Sequence, residues 1–241
     1  MSLLDVMMSE FEQTTSDKIY GVVVGVVTNN QDPEKIGRVK VKFPWLNDDN
    51  ESTWARSASP MAGKGRGSWF LPEVGDEVLV AFEHGDVRFP YVLGMLWNGV
   101  DTPQRDNADG KNNERVITSR MGHELVFNDE DGKGQVSITT KAGHVILLDD
   151  TSGSESITIK DKTGSNKMKF DSSANSIEIE SGATLKIKAT TDMEIEAGTS
   201  LKIKATTLEL NGSMVKLGAD ANMEAKAGAM MTVKGAMVMI N

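Results

Sequence analysis

From Leu125 to Ile240 the sequence repeats a short pattern, in which two apolar residues flank one variable residue and a small polar turn follows. Leu125/Phe127 and Ile157/Ile159 are examples of these pairs. The spacing between successive pairs is longer up to Ile177 and shorter after it. Apolar residues at alternate positions predict strands with one buried face. A short period predicts stacked units, none of which buries its apolar face alone.

Two inward side chains per strand are too few to close a wide β-solenoid from one chain. Three chains could share the task, each supplying one wall of a triangular prism, so the pattern predicts an intertwined homotrimer. One repeat is especially clear, because the sequence of Leu185–Thr191 occurs again at Leu201–Thr207. The predicted trimer core includes Ile177, Ile179, Leu185, Ile187, Met193, Ile195, Leu201, Ile203, Leu208 and Leu210.

The charged residues between the apolar ones change sign from one repeat to the next. Glu178 and Glu180 are followed by Lys186 and Lys188, and acidic and basic pairs continue to alternate as far as Glu209. Opposite charges on neighbouring strands contribute roughly 0.2–1 kcal/mol per pair. The alternation therefore predicts that each segment lies beside the next one along the chain. A solvated face with no defined pairing is the alternative.

Composition divides the chain into four predicted segments. Residues 1–18 form a helical segment, residues 19–100 a compact β domain, residues 101–113 a polar linker and residues 114–241 the needle. The compact domain contains all four tryptophans, which are expected in its core and at the trimer interface. Its short strands, joined by turns with Gly and Pro, predict a small Greek-key barrel.

Charge and composition exclude several classes of protein. The net charge of −9 and the pI near 4.9 argue against a nucleic-acid backbone as ligand. The absence of cysteine excludes disulfides and thiolate metal sites. No apolar run is long enough for a transmembrane helix, and the N-terminus lacks the features of a secretory signal.

Ordered motifs in the barrel segment resemble those of one family. They are Asp32–Trp45, Trp54–Arg56, Pro72–Phe82, His84–Asp86 and Pro90–Asn98. In this order, followed by the repeats, they resemble the oligomer-binding (OB) fold domain of VgrG and phage baseplate protein V. The resemblance implies an all-β spike from a contractile injection machine, in which an OB-type barrel continues into an intertwined trimeric β-helix needle.

The resemblance also implies partners at both ends of the spike. VgrG carries a large hub before its barrel, whereas only a short segment precedes the barrel here, so the hub is expected to be a separate protein. An N-terminal helical stripe is the predicted hub contact, formed by Leu3, Leu4, Met7, Met8 and Phe11. Related spikes can end in a His-x-His iron site, which this sequence lacks. A PAAR-like tip protein is therefore expected to cover Met237, Val238, Met239 and Ile240.

No catalytic residue, cofactor or metal site is predicted. His84 and His123 lie in turns with no second histidine nearby, so structural roles are expected. The cluster Gly63–Gly67 lacks the ending of a phosphate-binding loop and is expected to be a surface loop. Residues 19–100 contain 8 Lys and Arg against 10 Asp and Glu, a poor charge for a nucleic-acid-binding barrel.

The predicted function is therefore that of a non-enzymatic central spike, assembled in the cytoplasm and driven through a target envelope when the sheath contracts. One alternative is a trimeric β-helical tail spike that degrades surface polysaccharide, which would need two suitably placed carboxylates. A second alternative is a barrel that binds nucleic acid. The sequence leaves open whether the machine is a phage tail, an extracellular injection system or a type VI device.

Overall fold

The computed structural model describes residues 18–46 and 51–239. Their contacts divide the chain into two units, Met1–Ala183 and Thr184–Asn241. Among the described residues the only helical element is a 3-10 turn at Glu83–Gly85, so the predicted all-β class is confirmed. None of the described helices is long or apolar enough to cross a bilayer. The four segment boundaries drawn from the sequence remain predictions.

The described residues in the first part of the chain form seven short strands. They are β1 (Val22–Asn29), β2 (Arg38–Lys42), β3 (Ala55–Ser57), β4 (Ala62–Gly63), β5 (Arg66–Gly67), β6 (Glu77–Phe82) and β7 (Pro90–Met95). Five of them close a barrel in the order β1-β2-β3-β7-β6, in which only the β3–β7 pair is parallel. The predicted barrel is therefore confirmed. The glycine cluster lies in a small separate hairpin, β4–β5.

The barrel core consists mainly of valine. Alternate residues of β2 and β6 point inward, as the period of a half-buried strand requires. The buried residues are Val27, Val39, Val41, Phe43, Ala55, Val78, Val80, Phe82 and Val92. No tryptophan is among them, and Trp69 and Trp97 are about 70% exposed. The expectation of core tryptophans was wrong, because valines and the edge-to-face pair Phe43–Phe82 already fill this small interior, whereas their place at a trimer interface remains a prediction.

The turn before β2 is organised by Asp32, whose side chain is only 3% exposed. Its carboxylate accepts hydrogen bonds from the backbone N–H groups of Glu34, Ile36 and Arg38. The Arg38 guanidinium also donates to it, at 2.7 Å from Nη2 and 3.2 Å from Nε. These bonds, with that of Arg38 first, hold the pKa of Asp32 far below its ordinary value. The Asp32–Arg38 motif is therefore explained by the geometry of the turn.

Seven antiparallel strands follow in a meander. They are β8 (Glu114–Thr118), β9 (Glu124–Asn128), β10 (Gln135–Thr139), β11 (Val145–Asp149), β12 (Ser156–Lys160), β13 (Lys167–Asp171) and β14 (Ser176–Glu180). Each strand pairs with the next one along the chain. The pairing predicted from the alternating charges after Glu180 remains a prediction. Between the last two strands Lys167 lies opposite Glu180, with Nζ 3.1 Å from the carboxylate, and Lys169 lies opposite Glu178.

Ion pairs hold the sheet to the segments before it. The Arg105 guanidinium, in the predicted linker, contacts the carboxylates of Glu114 and Glu124. Arg120, in the turn after β8, donates from Nη1 to both carboxylate oxygens of Glu73 in the barrel segment, at 3.0 and 3.1 Å. The polar linker is therefore anchored to the strands that follow it.

The second unit differs from the first in secondary structure and in burial. The described residues 184–239 contain no strand within this single chain, and every one of them is exposed. The trimeric β-helix predicted for this part of the chain is therefore not tested by the structure of one chain.

Candidate assembly interface

The register of the meander places the apolar pairs of successive strands side by side. Because each antiparallel pair joins residues that share a face, the contacts run as two columns across the sheet. The first column is Phe127, Val136, Leu148, Ile157, Phe170 and Ile177. The second is Ile117, Leu125, Ile138, Ile146, Ile159, Met168 and Ile179. We refer to the residues of these two columns as the apolar face.

The apolar face is open to solvent in the single chain. Leu148 and Ile157 at its centre are 44% and 43% exposed, and Ile177 on the last strand is 65% exposed. The intervening positions on the opposite face are mixed, since Leu147 lies there beside the polar residues Ser137 and Thr158. A contiguous apolar surface of this kind marks an interaction site rather than an ordinary protein surface.

Polar groups form the limit of the apolar face at its first strand. Arg115 occupies the position of the first column in β8, opposite Phe127. Its Nη1 donates to Asp129 Oδ2 at 2.7 Å and to the Asn112 carbonyl at 2.9 Å. The first column therefore begins with an ion-paired arginine, and its apolar part extends from β9 to β14.

The structure brings together only some of the core residues predicted from the sequence. Ile177 and Ile179 belong to the apolar face, in register with Phe170 and Met168. The remaining members lie in the second unit and are exposed among the described residues: Leu185, Ile187, Met193, Ile195, Leu201, Ile203, Leu208 and Leu210.

The predicted contacts at the two ends are only partly described. Met237 and Met239 are about 80% exposed and Val238 is 51% exposed, whereas Ile240 lies outside the described residues. The predicted hub contact, Leu3, Leu4, Met7, Met8 and Phe11, also lies outside them. Among the residues that the structure describes, no group of three or more His, Cys, Asp or Glu could hold a metal ion.

Sequence reasoning missed the start of the apolar face. Ile117 in β8 belongs to the second column but was not recognised as part of the repeat. The repeat was recognised by apolar residues two positions apart, and the residue two positions before Ile117 is Arg115. A signal was nevertheless present: Gly122, Gly143 and Gly164 are evenly spaced along the chain, which marks a two-strand unit.

Comparison with known proteins locates the family in the barrel segment. The family model for the type VI secretion system/phage-baseplate injector OB domain matches residues 23–97, which include β1 to β7 apart from the first residue of β1. This agreement identifies the closed five-stranded barrel as an OB domain.

Named relatives extend the similarity beyond the barrel. The spike protein VgrG3 of Vibrio cholerae is 32% identical over 131 residues, or 49% of this chain and 13% of the relative. VgrG5 of Pseudomonas aeruginosa is 36% identical over 124 residues, or 48% of this chain and 16% of the relative. Both are named type VI secretion system spike proteins.

Another relative has a different name. The actin cross-linking toxin VgrG1 of Vibrio cholerae is 34% identical over 108 residues, or 42% of this chain and 10% of that protein. The chain thus matches less than a fifth of the length of each of these relatives. The barrel, the motifs that build it and these similarities show that residues 23–97 form an OB domain of the type VI secretion system/phage-baseplate injector family, and that about half of the chain is similar to VgrG spike proteins.

Proposed function

We propose that this chain is the structural central spike of a contractile tail or injection-system baseplate, which pierces the target cell envelope. The observation that carries the proposal is the apolar face of the sheet, whose pairs continue as exposed residues through 184–239. The relatives named as spike proteins support it. They favour a spike over a polysaccharide-degrading tail spike and over a nucleic-acid-binding barrel.

The spike works as a homotrimer in this proposal. Three copies of the apolar face would enclose one core and withdraw its side chains from water, at about 25 cal/mol per Å² of apolar surface. The charge pattern supports strand exchange after β14. Within the chain, Lys167 and Lys169 lie opposite Glu180 and Glu178 on this last strand. In the trimer, the free edge of the same strand would place the two glutamates beside Lys186 and Lys188 of a neighbouring copy, which have the opposite charge. Residues 184–239 of three chains would then form the intertwined β-helix needle.

A closed three-walled needle suits mechanical work. Strands that pair around the whole circumference leave no free sheet edge along the shaft, and their backbone groups are all bonded. We infer that the chain itself performs no catalysis and acts by transmitting force. In this proposal the spike is assembled in the cytoplasm and carried out of the cell when the sheath contracts.

Two partners complete the proposed assembly. The N-terminal stripe of Leu3, Leu4, Met7, Met8 and Phe11 contacts a hub protein that joins the spike to the tube. At the other end, a PAAR-like tip protein covers the exposed Met237, Val238 and Met239. The apolar character of both surfaces supports these contacts, since three-fold symmetry would triple each of them.

Deletion of the gene in its host tests the proposed function. We expect the deletion strain to lose contraction-dependent killing of target cells, because the baseplate would lack the spike that leads the tube through the envelope. The measurement is survival of target cells in co-culture, combined with electron microscopy of the contractile particles. A plasmid copy of the gene should restore both, whereas killing and complete particles in the deletion strain would contradict the proposal. Sugar release from surface polysaccharide by purified protein would favour the enzymatic alternative.

Truncation before Gly235 is expected to abolish binding of the tip protein. The change removes the exposed apolar residues Met237, Val238 and Met239, which supply the proposed contact. The measurement is a pull-down of a co-expressed PAAR-like protein by full-length and truncated chains. The trimer mass of the truncated chain, measured by light scattering, serves as the control. Equal capture by both chains would show that the tip protein binds elsewhere.

A further inference from the structure

The turns at one edge of the sheet recur at a regular interval along the chain. They follow β8, β10 and β12, and each reverses at a glycine in the left-handed region, with φ of 83° at Gly122, 94° at Gly143 and 73° at Gly164. The first two turns continue with His123 and His144. These histidines immediately precede β9 and β11, and each turn joins its strand to the strand before it. Between two successive turns at this edge, the chain crosses the sheet along one strand, reverses at the opposite edge and returns along the next strand.

Imidazole side chains bridge successive turns. The Nδ1 atom of His123, before β9, accepts a hydrogen bond from the backbone N–H of Lys141, after β10, at 3.3 Å. The Nδ1 atom of His144, before β11, accepts one from the backbone N–H of Lys162, after β12, also at 3.3 Å. Each bond spans two neighbouring strands whose covalent connection lies at the opposite edge of the sheet.

The third turn uses a different acceptor at the same place. Asn166, before β13, accepts a hydrogen bond at Oδ1 from the backbone N–H of Gly182, after β14, at 3.1 Å. The Ser181 hydroxyl also lies 3.3 Å from this oxygen. His123, His144 and Asn166 therefore form one series of side-chain acceptors along the edge, which we call the acceptor ladder.

The two histidine bonds require a neutral ring. An imidazole that accepts at Nδ1 carries its proton on Nε2, and a protonated imidazole has a donor at both nitrogens and no acceptor. An amide oxygen such as Asn166 Oδ1 accepts at any ordinary pH. Histidine is the side chain that ordinarily changes charge between pH 5 and 8. Protonation would therefore remove the acceptor from the first two bonds of the ladder, whereas the amide acceptor of the third bond would remain.

We propose that the acceptor ladder is a pH-sensitive clamp, in which protonation of His123 and His144 releases the turns at Lys141 and Lys162 while the turn at Gly182 stays bound. The ladder lies within one chain and does not depend on the proposed function. Its effect is local, because the strands keep their backbone hydrogen bonds when the two side-chain bonds are lost.

The charged surroundings of the two histidines are mixed. The segments packed around His123 carry Arg120, Glu124 and Lys141, of which Arg120 is paired with Glu73 and Glu124 with Arg105. The segments around His144 carry Lys141, Lys160, Asp161 and Lys162. Asp161 is engaged by Thr163 and Asn166 within its own turn. No carboxylate among the described residues forms an ion pair with either histidine.

Amide hydrogen exchange of the full-length protein, followed by NMR at about pH 7.5 and about pH 5, tests the clamp on both sides of the histidine range. We expect the protection factors of the Lys141 and Lys162 amides, corrected for intrinsic exchange, to fall about three- to tenfold on acidification, as the loss of one hydrogen bond each predicts. The protection of the Gly182 amide should not change. Unchanged protection at Lys141 and Lys162, or an equal loss at all three amides, would overturn the proposal.

Matched variants separate the clamp from general acid sensitivity. His123→Asn and His144→Asn introduce the same side chain as Asn166 at the first two positions of the ladder. Each variant should therefore remove the pH dependence at its own partner amide, Lys141 or Lys162. His84→Asn removes the remaining histidine, which lies in the 3-10 turn of the barrel segment, and should leave the pH dependence intact. If His84→Asn abolishes the dependence at Lys141 and Lys162, or if the first two variants retain it, the ladder is not the cause.

Discussion

Replacing Ile187 with Asp is expected to prevent assembly of the trimer. Wild-type protein should scatter light with about three times the 26.1 kDa mass of the chain, because the apolar pairs have no core to enter in a monomer. In the proposed needle the variant would bury three unpaired carboxylates in one layer, at a cost of several kcal/mol per ion. Light scattering and resistance to heat and detergent measure the outcome. A trimeric variant as stable as the wild type would contradict an inward Ile187.

Lys188→Ser is the matched control for this substitution. Lys188 is the neighbouring residue and points to the opposite side of an extended strand, so the proposal places it in solvent. An exposed ion pair is worth about 1 kcal/mol or less, and its loss should leave the trimer intact. Equal tolerance of both substitutions would remove the distinction between an inner and an outer side of the needle.

Replacing Ile157 with Asp is expected to disrupt the trimer through the sheet. Ile157 lies in the first column of the apolar face, between Leu148 and Phe170. A carboxylate there would be buried among apolar side chains when three faces meet, and we expect a loss of several kcal/mol for each copy. The measurement is the mass of the purified variant by light scattering as a function of concentration, with circular dichroism as a check that the strands form.

Thr158→Asp in the same strand is the control. Thr158 lies on the other face of the sheet, where its partner on the neighbouring strand is Leu147. The proposal leaves this face in water, so an aspartate at position 158 should be hydrated and tolerated. If Ile157→Asp remains trimeric while Ile187→Asp does not, the apolar face of the sheet is not part of the core. If Thr158→Asp disrupts assembly as strongly as Ile157→Asp, the other face of the sheet is the one that is buried.

The sequence predicted the β architecture well where local periodicity determines it. The apolar pairs from Leu125/Phe127 to Ile177/Ile179 lie on one face, because side chains alternate along a strand and the short turns bring each strand beside the next. The barrel was also predicted, since the alternation in strands such as β2 and the turn at Asp32 are local signals.

Other features depend on contacts between distant segments, and local patterns did not predict them. Trp69 lies outside the barrel core, which smaller side chains fill, and packs against Gly37, where a Cβ atom would lie 2.8 Å from the indole ring. The acceptor ladder joins turns that are separated along the chain by two strands, so it was visible only after the strands were paired. The interior of the predicted needle remains a prediction, because its strands require neighbouring chains.

The meander has a consequence for how three chains could align. The segments Leu185–Thr191 and Leu201–Thr207 have the same sequence, so the tails of three chains could associate with one chain displaced from the first segment to the second. The sheet before them pairs only neighbouring strands within one chain, and such local contacts form quickly. Its turns differ in sequence, and Arg115 and Asp129 mark its first strands. We expect the sheet to form first and to set the starting register, so that the tails wind together from one end and a displaced alignment never begins.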